Sequence, residues 1–232
     1  MEETAAEASV VRIGDVPELA GISADRLTSA QAGLSPELRR LHRAILDSFV
    51  QLGSAPGQDR LKDDASKLGP DMGIALEQLE ESDLIVRDRP TGRIVGVYPF
   101  SAVPTRHRVH IAGGTPVYAM CAIDALGIPD MLAKDGVILS EDPVDSSPIR
   151  VEVHAGRADW NPASAVVFVG STGQDGSLAQ TCCSVINFFA SSATAKEFQS
   201  RNPGVTGRVL SQQEALELGR SVFGQLARED RR

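Results

Sequence analysis

The chain has 232 residues, a formal net charge of -8 at pH 7, 42% hydrophobic residues and 23% charged residues. Those proportions fit a globular protein with one core of roughly 150 to 200 residues, or a small domain packed on a larger one. The acidic balance weighs against nucleic-acid and anionic-membrane binders, and no stretch approaches the roughly 20 apolar residues of a membrane span. The first residues, Met1-Glu2-Glu3-Thr4-Ala5-Ala6-Glu7, lack the basic and apolar regions of a secretory signal, so a cytoplasmic location is expected. In that reducing compartment the three cysteines are expected to be free, catalytic or metal-binding, not disulfide-bonded.

Residues 1–34 read as an acidic, flexible extension. Ser35-Pro36-Glu37 then gives a hydroxyl cap followed by proline at the first helical position. Leu38, Leu41, Ile45, Phe49 and Leu52 recur at helical spacing behind it. A break at Gly53-Ser54-Ala55-Pro56-Gly57 precedes a short helix over 58–68, and Gly69-Pro70 separates that from a third over 71–82. Leu84-Ile85-Val86-Arg87 and Ile94-Val95-Gly96-Val97-Tyr98 read as two strands joined by a tight loop. Three helices and a hairpin is the order of a winged helix, so 35–106 is expected to be a winged-helix-like domain. The third helix carries Asp71, Glu77, Glu80 and Glu81 and no Lys or Arg, which argues against a DNA-reading surface.

Residues 107–232 mix strands and helices and are expected to form a catalytic domain with a mostly antiparallel sheet, giving an α+β class overall. Strands are expected at 107–111, 136–140, 149–154 and 165–169. A helix is expected from about Val117 to Leu126, resuming over 129–133. The Cys182-Cys183 segment reads as a strand or a strand running into a turn. Thr194 to Arg201 reads as a short helix. Ser211-Gln212-Gln213-Glu214 is a capping box that opens a final helix through Ala215, Leu218, Val222 and Leu226.

The chemistry concentrates in two apolar segments. Cys121 lies in Tyr118-Ala119-Met120-Cys121-Ala122-Ile123-Asp124-Ala125-Leu126, and Cys182 and Cys183 lie in Gln180-Thr181-Cys182-Cys183-Ser184-Val185-Ile186-Asn187-Phe188-Phe189. On a helix, Cys121 and Asp124 share a face. A thiolate selects soft metals, and a carboxylic acid beside it can hold and deliver a proton. Inert core is the plain alternative for Cys121, but an acid inside the apolar run 120–126 needs a reason, because burying an unpaired carboxylate is costly. Adjacent residues on a strand point to opposite faces, so at most one of Cys182 and Cys183 is expected in a given pocket. His42, His107, His110 and His154 form no zinc-ligand pattern with the cysteines, and there is no P-loop, GxGxxG or GxSxG.

These residues resemble the organomercurial (alkylmercury) lyases of bacterial mercury resistance. The resemblance rests on the Cys121 segment, on Cys182-Cys183 followed by Asn187-Phe188-Phe189-Ala190-Ser191, and on Gln212-Gln213-Glu214-Ala215-Leu216-Glu217-Leu218-Gly219. It covers roughly residues 36–228. It implies Cys121, Asp124 and Cys182 as catalytic residues that also contact mercury, with Cys183 a further candidate mercury contact. It implies protonolysis of R–Hg(II) to a hydrocarbon and Hg(II), with no cofactor. Its implied partners are the organomercury substrate, low-molecular-weight thiols and a mercuric reductase for Hg(II) hand-off, with no nucleic acid and no membrane. The chain departs from the family at Ser184, Val185, Ile186 and Asn187, where members often carry histidines. The competing expectation is a non-catalytic soft-metal sensor with a winged-helix domain.

Overall fold

The computed structural model describes residues 29–68, 71–175, 177 and 179–223. The acidic segment over 1–28, the Gly69-Pro70 break and Leu226 lie outside the described residues. Residues 29–34 order against the core: Leu34 is buried, and the Gln31 amide lies 3.3 Å from His42 Nδ1.

Three helices come first: α1 (Pro36–Leu52), α2 (Gln58–Leu68) and α3 (Met72–Glu81). Ser35 caps α1 by accepting the Leu38 N–H, and Asp71 caps α3 by accepting the Ile74 N–H. Gly53 closes α1 in the left-handed region at φ 71°. That conformation is open to glycine at little cost. Apolar faces formed by Leu41, Ile45 and Phe49 on α1 and by Leu76 and Leu79 on α3 turn inward.

Strands β1 (Ile85–Arg87) and β2 (Ile94–Val97) form the expected hairpin. It continues directly into the main sheet through β3 (Phe100–Ser101), β4 (Arg108–Ile111) and β5 (Val117–Ala119). After helix α4 (Ala122–Leu132) come β6 (Gly136–Glu141), β7 (Pro148–His154) and β8 (Arg157–Asn161). The sheet has eight strands in the order β1-β2-β3-β5-β4-β6-β7-β8, with every adjacent pair antiparallel. A second, three-stranded antiparallel sheet has the order β10-β9-β11, from β9 (Val166–Ser171), β10 (Asn187–Phe189) and β11 (Thr206–Leu210). Helix α5 (Ser192–Arg201) packs on that sheet, and α6 (Gln212–Phe223) closes the described chain. No helix among the described residues is long and apolar enough to cross a membrane.

The hairpin's cationic character is reduced by a neighbour. Arg87 Nη2 lies 2.7 Å from Glu80 Oε2 on α3. The acidic helix thus engages one of the few bases available for a phosphate backbone.

Helix α4 is central. Its sequence is apolar nearly all round, and Ala122 through Pro129 are buried without interruption. A helix with no polar stripe must be covered on all sides. It packs on β4, β5 and β6 of the large sheet, on β10 of the small one, and along α6. Gly127 and Gly219 permit the α4–α6 approach. A Cβ on Gly127 would stand 2.3 Å from Phe223 Cδ2 and 2.8 Å from the Gly219 carbonyl oxygen. Gly127→Ala is therefore expected to lower stability by about 1 to 3 kcal/mol through overpacking against backbone. Urea unfolding measures it, and an unchanged midpoint would show that the helices separate freely.

Two expectations need correction here. Val117–Ala119 is a strand, not the start of a helix: its backbone groups are taken by β3 and β4, with Phe100 opposite Ala119 and Val109 opposite Val117. The helix runs unbroken from Ala122 to Leu132 with Pro129 inside it. The Cys182-Cys183 segment is also not a strand. Ala179–Cys183 forms a π-helical turn.

Candidate active site

Cys121 occupies the hinge between β5 and α4. Its backbone is extended (φ -148°, ψ 179°), and it is the N-cap of α4. Its Sγ accepts the Asp124 N–H at 3.5 Å. Cys121 and Asp124 therefore meet as N-cap and third helical residue, not as two residues on one helical face. Capping brings the two together as surely as the expected i, i+3 relation would have done.

The second cysteine segment arrives from the other side. The turn over 179–183 is held by the Thr181 hydroxyl, which donates to the Ser177 carbonyl at 3.0 Å, and by the Thr172 N–H to the Thr181 carbonyl at 2.9 Å. Past the pair, the Ala122 N–H donates to the Ile186 carbonyl at 3.3 Å, locking this segment to the first turn of α4. In a helical turn successive side chains diverge by roughly a quarter turn instead of the half turn of a strand.

The result is a compact group. Ligand atoms of Cys121, Asp124 and Cys183 all lie within 4.8 Å of one another. The Cys183 thiol donates to Asp124 Oδ2 at 3.8 Å. Cys182 is buried beside them in sequence, but its Sγ contacts the Thr181 hydroxyl at 3.6 Å and does not belong to that group. Cys121 and Asp124 come together, by capping and not on a shared helical face, and Cys183 joins them where the resemblance implies Cys182. The structure places Cys183, alongside Cys121, in the group around the acid. Nothing in the sequence orders two adjacent cysteines; only the turn does.

The surroundings set the proton balance. Burial pushes the Asp124 carboxyl up to about 7, against partial opposition from the Cys121 thiol and backbone and the Cys183 thiol. Burial likewise raises the Cys121 thiol well above its ordinary value, and its hydrogen bond with Cys183 and the charge of Asp124 add to the effect. At Cys183 the hydrogen bond with Cys121 pulls down, but burial with Asp124 and Cys182 outweighs it and the thiol is raised. The resting site therefore keeps its protons: two buried thiols around a carboxyl that titrates near neutrality. Beyond the pair, Phe188 packs edge-on against His107 and Trp160, each at 5.6 Å between ring centroids. Phe189 turns the other way, into a small cluster with Phe168 and Phe198.

A sequence model described as alkylmercury lyase matches residues 100–224, more than half of the chain and all of the site. The chain belongs to the alkylmercury lyase family. An alkylmercury lyase of Bacillus cereus is 32% identical over 130 residues, 56% of this chain and 58% of that protein. Aligned length thus reaches little more than half of that relative. An alkylmercury lyase of Staphylococcus epidermidis is 27% identical over 191 residues, 82% of this chain and 84% of that protein. Among solved structures, the mercury-bound form of MerB2 superposes with a TM-score of 0.71 at 24% identity, covering 88% of this chain and 98% of that one. That likeness extends the family's fold to the helices and hairpin that precede residue 100.

Proposed function

We propose that this alkylmercury lyase family member cleaves the carbon–mercury bond of R–Hg(II) by protonolysis. The observation that carries the reading is the buried meeting of thiols and a carboxyl that holds a proton near neutral pH. Soft sulfur suits Hg(II), and an acid with a pKa near the working pH suits proton delivery. Cys121 and a sulfur of the 182–183 pair displace the ligand X of R–Hg–X. Asp124 collects a thiol proton and passes it to the carbon. The C–Hg electron pair becomes the new C–H bond. The balance is R–Hg–X plus two thiols giving R–H, a dithiolate-bound Hg(II) and HX. The chemistry calls on no cofactor; small external thiols then remove Hg(II), with a mercuric reductase as its recipient. On this reading the protein works in the cytoplasm, and helices α1–α3 with the β1–β2 hairpin form a winged-helix-like cover with no nucleic-acid role.

The second sulfur is Cys182 on the family resemblance, which makes Cys121, Asp124 and Cys182 the catalytic set. A second reading, favoured by the 3.8 Å contact with Asp124 Oδ2, gives that place to Cys183. Serine variants separate them. Cys182→Ser is expected to stop benzene release from phenylmercury, measured by gas chromatography in excess thiol, while Cys183→Ser keeps most of it. The reverse order would transfer the role to Cys183.

A further inference from the structure

The C-terminal ends of α1 and α4 and the turn between β4 and β5 enclose a cavity of about 550 Å³. The chemistry at the thiols does not use it. It lies at the far end of α4 from Cys121: the helix has 11 residues, which at about 1.5 Å each sets Leu132 roughly 16 Å from the thiol cap. Its floor is apolar, formed by Val50, Phe100, Ile111, Val117 and Leu132. Its walls are fixed. Phe49 stacks on Phe100 with centroids 5.6 Å apart and planes 8° from parallel. The Thr115 hydroxyl donates to the Gln51 carbonyl at 3.1 Å, which ties the turn to α1. A Cβ on Gly53 would stand 2.7 Å from the Pro116 carbonyl oxygen, so helix end and turn meet without a side chain between them. The cavity is therefore preformed, as small-molecule sites usually are.

Lys134 is the one charged side chain on its wall among the described residues. It follows Ala133, which ends α4 in the left-handed region at φ 50°, and its N–H donates to the Pro129 carbonyl at 3.0 Å. The acids nearest in sequence are engaged elsewhere: Asp130 faces Arg220, and Asp135 faces His154. No ion pair among the described residues takes Lys134. An apolar floor beneath one uncommitted ammonium suits a ligand with an apolar body and a single negative charge. We propose that this cavity binds a small amphipathic monocarboxylate, its alkyl or aryl body on the floor and its carboxylate against Lys134. A phosphate or a dicarboxylate would leave a second charge unmatched beside apolar walls, which is costly. The volume lies within the range of about 300 to 1,000 Å³ typical of small-molecule sites. Binding here calls on neither the thiols nor mercury.

Titration of the mercury-free full chain with octanoate and with benzoate, followed by amide NMR, tests it. At least one of the two is expected to bind with a Kd of about 0.1 to 1 mM, and the tighter one names the body preferred. The amides of Gly113, Gly114 and Thr115 should shift while those of Cys121 and Asp124 stay in place. Octylammonium, with the same chain and the opposite charge, should not bind. Lys134 is exposed, so Lys134→Gln is expected to keep the Tm and to weaken the carboxylate about 5-fold, the size of a solvent-screened ion pair. Val50→Trp fills the floor from α1 and, where its Tm matches the parent's, should abolish binding. No carboxylate binding at millimolar concentration overturns the proposal. Equal binding of octanoate and octylammonium, an unchanged Kd in Lys134→Gln, or shifts confined to Cys121 and Asp124 would each overturn it as well. Hydrocarbon release plays no part in these readings, so failure of the lyase reading would leave them unaffected.

Discussion

Asp124→Asn is expected to leave mercury on the thiols and to cut hydrocarbon release by about 10²- to 10⁴-fold, the usual contribution of a positioned acid. The amide side chain fills the same volume at the third position of α4 but has no acidic proton to give. The substitution also carries a stability signature with a definite sign. Burial raises the native carboxyl to about 7 from an ordinary value of 3.8. Between those pH values the unfolded chain has lost the proton and the native state keeps it. Native stability therefore falls as pH rises from about 4 to about 7 and levels off above that. The span corresponds to about 4 kcal/mol at full burial. The amide escapes this penalty. Urea unfolding of the two proteins should show the variant gaining on the parent steadily across that window. Parallel curves would mean that Asp124 ionises normally and cannot be the proton store.

Cys121→Ser is expected to abolish turnover while leaving the fold intact. Serine is a good N-cap, so the hydroxyl can take over the Asp124 N–H that Cys121 Sγ accepts at 3.5 Å. Alanine removes the cap and is expected to cost about 1 kcal/mol more. A hydroxyl is a poor ligand for a soft cation. Groups that act as a unit fail together, so losing this sulfur should cost nearly as much rate as losing both. Hg(II) titration followed by the thiolate–mercury ultraviolet band should show one bond fewer and weaker retention against competing thiols. Turnover surviving in a well-folded serine variant would remove Cys121 from the mechanism.

Much of this was readable in the sequence, for local reasons. Ser35-Pro36 and the Ser211–Glu214 box are start signals set by a few neighbouring atoms, and α1 and α6 begin where those signals stand. What was missed depended on distant partners. Val117–Ala119 continues an apolar run suited to a helix, but the edges of β3 and β4 claim its backbone. Strand β8 alternates exposed with half-buried residues and carries no fully buried one, so it left no apolar signal. At the site, the spacing of Cys121 and Asp124 was legible, while its cause, a thiol cap, was not. The prominence of Cys183 follows from a π-helical turn that no residue in 179–183 announces.

The most direct test of the central claim is to turn over phenylmercury in D2O with excess thiol and to analyse the released gas by mass spectrometry. Protonolysis through an exchangeable acid predicts benzene carrying one deuterium, one molecule for each Hg(II) bound, and far slower release with Asp124→Asn. Mercury retained on the protein with no benzene released, or benzene released without deuterium, would contradict it.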